Sequence, residues 1–241
     1  PVDSEHFSIW YALKYIDKKL IEKIYLTASG GPFLNKSLNK LKNVSAKQAM
    51  KHPNWKMGKK ISIDSATMMN KVFEVIEAHK LFKIDINKIK ILIHPSSYVH
   101  SVVKFNDGTI QIIAHDTKME IPISNALFEK NIYKYNDNKF YKNMNNMNFY
   151  KPNKNQFPSL KFLDQFNNKN KYYEILLLVG NEELVNSYLK KKVNYEDIYY
   201  LLVKLIKMNL FKNYDTKKHV SLKKINQIIK IVKFNIKNII K

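Results

Sequence analysis

Hydrophobic and polar residues alternate in short segments of the first 130 residues and recur every three or four positions in one longer segment. The longer segment, residues 66–81, is predicted to be a helix. The last two of the short segments flank Asn-Asp-Gly at residues 106–108, a strong signal for a hairpin turn. Strands mixed with helices predict an α/β (α+β) domain with a mixed sheet over residues 1–130. The predicted strands are residues 23–27, 60–64, 89–93, 101–105 and 109–114.

The second half of the chain has a different composition. Residues 131–160 are rich in Asn, Lys and Tyr, which is typical of a linker. Helical patterns then dominate at about 172–190, 195–212 and 220–241, and they predict a C-terminal α-helical bundle domain over residues 161–241. The last helix has apolar residues on one face and lysines on the other. Such a helix can lie on a membrane surface, but its pattern is more typical of a bundle helix with one solvated face.

The chain is strongly basic, with a formal net charge of +22, and all 42 basic residues are lysines. So high a charge is common in proteins that bind nucleic acid or anionic membranes. Arginine is preferred for reading bases and clamping phosphates. Its absence therefore favours a solvated lysine-rich surface over a specific nucleic-acid partner. A polyanion-binding protein that uses the lysine-rich tail remains an alternative.

Rare and absent residue types narrow the chemistry further. The chain has no cysteine, which excludes disulfides, thiolate zinc sites and cysteine nucleophiles. Its five glycines do not spell a dinucleotide-binding turn or a P-loop. No apolar run approaches the roughly 18 residues of a membrane span, and no secretory signal opens the sequence. Because it begins at Pro1 rather than Met, we expect a trimmed start or a longer product.

Two acidic side chains lie close to the first residue. Asp3 and Glu5 are two residues apart, so in an extended segment both carboxylates point to the same side. Convergent carboxylates repel each other unless a cation lies between them. Their oxygen atoms suit Mg²⁺ or Mn²⁺. The alternative is a pair of ordinary surface acids.

An amide, an ammonium group and a carboxylate share one face of the predicted helix, because Asn70, Lys71 and Glu74 lie three or four residues apart. Asp64 or Ser65 is placed to cap this helix, whose N-terminus offers free N–H groups to an anion. Such a face can bind a phosphate, a polyol and a metal together. The alternative is a surface ion pair.

Three further segments are candidates for a site. Ser29 and the two glycines after it follow a predicted strand and can form a tight turn or a small anion-binding nest. Trp55 lies in a polar loop punctuated by Pro and Gly, so it is either a lid residue that covers a ligand or a core anchor. His94 and His100 follow another predicted strand and fit the edge of a site.

Taken in order, these segments resemble one family, 1-deoxy-D-xylulose 5-phosphate reductoisomerase of the non-mevalonate isoprenoid pathway. The strong resemblance covers about residues 1–127, and residues 181–182 and the helical tail match more faintly. The matching segments are Pro-Val-Asp-Ser-Glu-His (1–6), Leu-Thr-Ala-Ser-Gly-Gly-Pro-Phe (26–33), His-Pro-Asn-Trp (52–55) with Met-Gly (57–58), Lys-Ile-Ser-Ile-Asp-Ser-Ala-Thr-Met-Met-Asn-Lys (60–71) with Glu74 and Ile-Glu-Ala (76–78), and Ile-His-Pro-x-Ser-x-x-His-Ser (93–101).

The resemblance implies a role for each group of residues. The implied metal ligands are Asp3, Glu5 and Glu74, and the implied phosphate-binding residues are Ser29, Ser65, Asn70 and Lys71. Substrate contacts are further implied at Ser4, Glu5, His52, Trp55 and Glu74, with His52, Trp55 and Met57 on a flexible lid at about residues 45–60. The implied catalytic residues are Asp3, Glu5, Glu74, His52 and His100. The implied cofactor contacts are Met57, Gly58 and Met119.

The family combines an N-terminal NADPH-binding domain with a central catalytic domain and a C-terminal helical domain, and this chain resembles the second and third. The resemblance implies a cytoplasmic homodimer that uses NADPH and Mg²⁺ or Mn²⁺, with no nucleic-acid partner and no membrane span. The implied reaction rearranges the carbon skeleton by retro-aldol cleavage and re-joining, with the metal polarising the carbonyl. NADPH then reduces the aldehyde to 2-C-methyl-D-erythritol 4-phosphate.

Three features depart from the family pattern. The NADPH domain and an active-site Lys, which precede Pro1 in the family, are absent from this sequence. Residues 117–120 read Thr-Lys-Met-Glu where the family usually has Pro-Asp-Met-Arg, and the spacer between His6 and Thr27 is shorter. We therefore expect the chain alone not to turn over. The alternative function is a stand-alone module that binds sugar phosphate and metal and needs a separate cofactor-binding chain.

Overall fold

The computed structural model describes residues 1–36, 40–42, 44–128, 140–145, 147–166, 172–212, 214 and 221–240. The strands in these ranges are β1 (Ile21–Ala28), β2 (Ile89–Ile93), β3 (Val99–Phe105) and β4 (Ile110–Ala114). The α-helices are α1 (Ser4–Leu13), α2 (Ala46–Ala49), α3 (Lys59–Ala66), α4 (Met69–Phe82), α5 (Glu120–Leu127), α6 (Phe140–Met144), α7 (Lys161–Asp164), α8 (Tyr173–Leu189), α9 (Tyr195–Lys207) and α10 (Leu222–Ile240).

The chain divides into two compact units, each built from several segments. The first unit comprises residues 1–31, 53–56 and 70–153, and the second comprises residues 32–52, 57–69 and 154–241. The domain limits expected from composition remain a prediction. Residues 131–139 and 146 of the linker predicted over residues 131–160 lie outside the described residues.

A four-stranded sheet forms the centre of the first unit, in the order β2-β1-β3-β4. The β1 and β2 strands are parallel, with Leu26 opposite Ile91, and the other neighbours are antiparallel. The mixed sheet predicted from the sequence is therefore confirmed, and the β3–β4 hairpin lies at the predicted turn. Helix α1 packs against β3 and β4.

The first helix was not among the predicted elements. Asp3 is its N-cap, and its carboxylate accepts hydrogen bonds from the backbone N–H groups of Glu5 and His6 at 3.1 Å each. The extended segment expected around Asp3 and Glu5 is therefore wrong. Helix α1 is buried on several sides, including Ser4, His6 and Ile9, so it lacks a clear amphipathic pattern.

Residues 60–64 are helical rather than a strand, which corrects a second expectation. The alternating Ile-Ser-Ile-Asp pattern misled because Ser62, Ile63, Asp64 and Ala66 are all buried on a helix, whereas Ile61 is exposed. Asp64 and Ser65 lie inside α3, so neither caps α4 as expected. Helices α3 and α4 are separated at Met68, whose φ of +60° breaks the helix.

The second unit is mainly helical in the described residues. Helix α8 packs against both α9 and α10, so the predicted C-terminal helices are present and contact one another. Gly180 allows the close approach of α9, because a Cβ atom there would lie 2.8 Å from Leu202 and 2.9 Å from Leu205. Among the described residues, no helix is both long and apolar enough to span a membrane.

Candidate metal and phosphate site

Three carboxylates converge in the first unit. Asp3 and Glu5 come from the start of α1 and Glu74 comes from α4, and one oxygen atom of each lies within 4.8 Å of the others. Within the described part of the chain, they are the group of three acidic or histidine side chains whose ligand atoms lie close enough together to hold one metal ion. Hard oxygen donors in this number suit Mg²⁺ or Mn²⁺. The residues predicted as metal ligands are therefore brought together.

An ammonium group lies between two of these carboxylates. Lys71 Nζ is 2.6 Å from Glu5 Oε1 and 2.6 Å from Glu74 Oε2. Asn70 donates a hydrogen bond to the other oxygen of Glu74, and Ser4 donates to the other oxygen of Glu5. The Lys71–Glu74 pair is only 6% exposed on either side, so the alternative of a surface ion pair is wrong.

The charged groups of this cluster shift one another's pKa values. Burial disfavours the charged form of Glu5, but the positive charge of Lys71 and its hydrogen bond outweigh burial and lower the pKa of Glu5 to about 2. Burial and the negative charge of Glu5 raise the pKa of Glu74 well above its ordinary value. Burial opposes the charge on Lys71, yet Glu5 and Glu74 raise its pKa. One ammonium thus faces three carboxylates, and a divalent cation would relieve the remaining repulsion.

His6 lies between Asp3 of α1 and the backbone of Glu74 on α4. Its Nε2 atom donates to the backbone carbonyl of Glu74 at 2.9 Å, and its ring is 1% exposed. Its Nδ1 atom lies 3.4 Å from Asp3 Oδ1. His6 was not among the predicted site residues, although its position directly after Asp3 and Glu5 was a usable signal.

Two further histidines of this unit, His100 and His115, lie in contact with each other. The rings of His100 and His115 stack with centroids 3.9 Å apart, and His100 Nε2 donates to the carbonyl of His115 at 3.1 Å. Trp55 lies against His100 at a ring distance of 6.3 Å and is partly exposed. Burial, followed by the neighbouring His115, lowers the pKa of His100 to about 3, so its ring is neutral. His115 was missed because only its position in space, after β4, brings it here.

The remaining predicted residues of the first unit lie at its turns. Ser29 is buried after β1, and its Oγ accepts a hydrogen bond from the N–H of Gly31 at 3.1 Å. Gly30 and Gly31 have φ angles of +85° and +66°, which favour glycine and form the expected tight turn. Met119 directly precedes α5 and is 37% exposed.

Four predicted residues belong to the second unit. Gly58 is the N-cap of α3, and its carbonyl accepts from Ser62 Oγ at 2.9 Å. Ser65 lies on α3 and is partly exposed between two buried neighbours. His52 and Met57 are partly buried on either side of residues 53–56.

The fold and this cluster define an α+β protein with three converging carboxylates that could hold a hard divalent cation. Two family profiles match the chain. One is described as the 1-deoxy-D-xylulose 5-phosphate reductoisomerase C-terminal domain, over residues 1–82, and the other as the DXP reductoisomerase C-terminal domain, over residues 116–234. The chain belongs to the 1-deoxy-D-xylulose 5-phosphate reductoisomerase family.

Named relatives and solved structures agree with this assignment. The reductoisomerase of Pelagibacter ubique is 47% identical over 219 residues, which cover 90% of this chain and 56% of that protein. The enzyme of Wolbachia pipientis from Culex pipiens is 42% identical, over 96% of this chain and 58% of its own length. The chain therefore spans a little over half the length of these relatives.

Two solved structures are similar over the whole chain. A DOX-P reductoisomerase in complex with NADPH, fosmidomycin and magnesium has a TM-score of 0.90 at 33% identity, and the match covers 62% of its chain. The Zymomonas mobilis reductoisomerase in complex with NADPH has a TM-score of 0.87 at 31% identity, over 61% of its chain.

Proposed function

We propose that this chain forms the metal-binding and sugar-phosphate-binding part of a reductoisomerase. The whole reaction converts 1-deoxy-D-xylulose 5-phosphate to 2-C-methyl-D-erythritol 4-phosphate with NADPH as reductant. The observation that carries the proposal is the convergence of Asp3, Glu5 and Glu74 within 4.8 Å in a chain of this family. Relatives that carry the reductoisomerase name support the substrate.

The three carboxylates fit a divalent cation by their chemistry. All three donors are oxygen atoms, two of them are held at the start of one helix, and Lys71 already balances part of their charge. A magnesium ion is present in a similar solved structure. When bound here, Mg²⁺ or Mn²⁺ would supply Lewis-acid polarisation of the substrate carbonyl.

The chain's own residues bind and orient the phosphate end of the substrate in this proposal. Lys71 supplies a buried positive charge, and Asn70 beside it supplies amide hydrogen bonds. Ser29 contributes a hydroxyl at a turn with two left-handed glycines. Ser65, on α3 of the second unit, remains a proposed phosphate-binding residue. Holding the phosphate far from the reacting carbons fixes the orientation of the substrate.

The segment around Trp55 excludes water from the reacting carbons in this proposal. Trp55 packs on the neutral His100 ring, and Asn54 Nδ2 donates to the carbonyl of Pro95 at 2.6 Å and to Ser97 Oγ at 2.8 Å. These contacts define a docked position of residues 53–56 within the first unit. A docked lid keeps solvent away from a polarised carbonyl.

NADPH is the proposed hydride donor, and two similar structures contain it. Met57, Gly58 and Met119 remain the proposed contacts of this chain with the nicotinamide. A second candidate is a stand-alone module that binds the sugar phosphate and metal and works with a separate cofactor-binding chain. The chain spans 56% to 58% of the length of these relatives.

A homodimer is proposed for the assembly. Strand β4 lies at the edge of the sheet and exposes Ile110 and Ile112, by 58% and 43%. Apolar edge strands are commonly covered by association. Sedimentation equilibrium would show a mass of twice 28.5 kDa, and a monomer at micromolar concentration would contradict the proposal.

Calorimetry with the 241-residue chain tests the central proposal. Mn²⁺ should bind with one site per chain, and 1-deoxy-D-xylulose 5-phosphate should bind more tightly when Mn²⁺ is present. The matched control is Glu22→Gln, because Glu22 is a partly exposed acid on β1 that lies outside the carboxylate cluster. If the chain binds Mn²⁺ but not the sugar phosphate, the site is a metal site without the proposed substrate.

A further inference from the structure

We infer that Asn181 is a positioning residue that holds helix α3, and with it Ser65, through the buried carboxylate of Asp64. This inference rests on the proposed function only in assigning Ser65 a phosphate to bind. The hydrogen bond itself lies wholly in the second unit.

The contact is a buried amide–carboxylate pair. Asn181 lies on α8 and is fully buried, and its Nδ2 atom donates to Asp64 Oδ1 at 2.8 Å. Lys60 Nζ lies 2.5 Å from the other oxygen, Asp64 Oδ2. Both oxygens of the carboxylate are therefore held, one by the same helix and one by α8. A buried carboxylate left without such donors would be costly.

A second buried hydrogen bond holds the other side of Ser65. Tyr195, the first residue of α9, donates its hydroxyl to the carbonyl of Ala66 at 2.7 Å. Asp64 and Ala66 are the two neighbours of Ser65, and both are buried. Ser65 itself is partly exposed. Helices α8 and α9 thus each donate a hydrogen bond to α3, one at the residue before Ser65 and one at the residue after it.

The packing of α8 explains how Asn181 reaches α3. The preceding residue, Gly180, has no side chain, and α9 fills that space with Leu202 and Leu205. Helix α9 is therefore close to α8 at the level of Asn181, and it also carries Tyr195. The two donors that hold α3 come from two helices that are fixed to each other.

An exchange of the two side chains tests the inference. Asn181→Asp replaces the amide donor with a second buried carboxylate, and the double variant Asn181→Asp with Asp64→Asn restores one amide facing one carboxylate. Asn186→Asp is the matched control, because Asn186 is exposed on the same helix. Calorimetry on the 241-residue chain would measure the affinity for Mn²⁺ and, with Mn²⁺ present, for 1-deoxy-D-xylulose 5-phosphate.

The expected result is a loss of about tenfold in sugar-phosphate affinity for Asn181→Asp, on the scale of one lost charged hydrogen bond. Recovery to within about twofold is expected in the double variant. Mn²⁺ affinity should be unchanged in all variants, because the carboxylate ligands lie in the first unit. Equal losses of Mn²⁺ and sugar-phosphate affinity, or no rescue by the exchange, would overturn the positioning role.

Amide hydrogen exchange gives a readout that does not depend on the proposed substrate. Asn181→Asp and Tyr195→Phe should both speed exchange of residues 59–66, and Asn186→Asp should not. If the parent chain does not bind the sugar phosphate, the proposed function fails, and this measurement still decides whether Asn181 holds α3. Unchanged exchange in both variants would refute the inference. If Asn181→Asp does not fold, Tyr195→Phe carries the same test.

Discussion

Lys71 donates a hydrogen bond of 2.6 Å to the carboxylate of Glu5, a residue 66 positions earlier in the chain. The pair is almost completely buried, with side chains 6% and 15% exposed. It joins the N-terminal helix to α4 and places a cation beside the carboxylates that are proposed to hold a metal. The charge balance of the site is therefore built from residues of the chain itself.

The Glu74→Gln substitution should weaken Mn²⁺ binding at least about tenfold, because it removes one of three charged oxygen ligands. The shape of the side chain is preserved, so folding should be nearly intact. Calorimetric titration of Mn²⁺ measures the first effect and circular dichroism the second. Unchanged Mn²⁺ affinity would show that Glu74 is not a ligand.

The Lys71→Met substitution should destabilise the metal-free chain by about 3–5 kcal/mol, because it leaves two buried carboxylates without a counter-charge. Mn²⁺ should then raise the unfolding midpoint more in this variant than in the parent chain. Urea unfolding with and without Mn²⁺ measures both effects. Lys104→Met is the control, since its pair with Glu22 lies at the partly exposed surface, where water screens the charges, and its loss should change stability far less.

The Asn54→Ala substitution should release the Trp55 segment, because it removes two hydrogen bonds to the turn at residues 95–97. Each is worth about 1 kcal/mol. In a Trp10→Phe background, which leaves one tryptophan, Trp55 emission should shift to the red and acrylamide should quench it more strongly. Asn186→Ala should change neither signal. Identical spectra in the Asn54 variant would mean that Asn54 does not hold the segment.

The contribution of His100 to the free energy of unfolding should fall as the pH is lowered from 7.5 to 5.5. His100 has a folded-state pKa of about 3 against an ordinary 6.5, so the unfolded chain binds the extra proton. Its contribution is present above pH 6.5 and is lost as the pH falls toward 3. Between pH 7.5 and pH 5.5 the loss of this contribution is about 1.4 kcal/mol.

The variant His100→Gln isolates this contribution. The raised pKa of Glu74 acts with the opposite sign, because its contribution is lost as the pH rises. The lowered pKa of His115 acts in the same direction as that of His100. The difference between the parent and His100→Gln profiles removes these shared effects, and equal slopes would contradict a neutral buried His100.

The sequence pattern predicted the parts of the fold whose burial follows a simple period. Strands β1 and β2 and the hairpin were located because one or both faces are apolar and an Asn-Asp-Gly turn punctuates the chain. Helix α3 was missed because Ile61 faces solvent while Ser62 is buried, which reverses the expected environment of the two residues. Which of these residues is buried depends on tertiary packing, and the local sequence pattern does not predict it.

The same division holds for the site. Spacing alone grouped Asn70, Lys71 and Glu74, because a helix fixes which residues share a face. The contact between Lys71 and Glu5 depends on how α1 lies against α4, and no local pattern encodes it. The stacking of His115 on His100 likewise depends on the pairing of β3 with β4, which brings distant residues side by side.

The interleaved segments of the two units limit how this protein can be shortened. A chain cut after residue 153 would lose α8 and α9 but keep residues 57–69, which belong to the same unit. Asp64 would then lose its donor from Asn181, and the carbonyl of Ala66 would lose Tyr195. Proteolytic trimming of the C-terminal helices should therefore yield an aggregation-prone remnant rather than an independently folded catalytic domain.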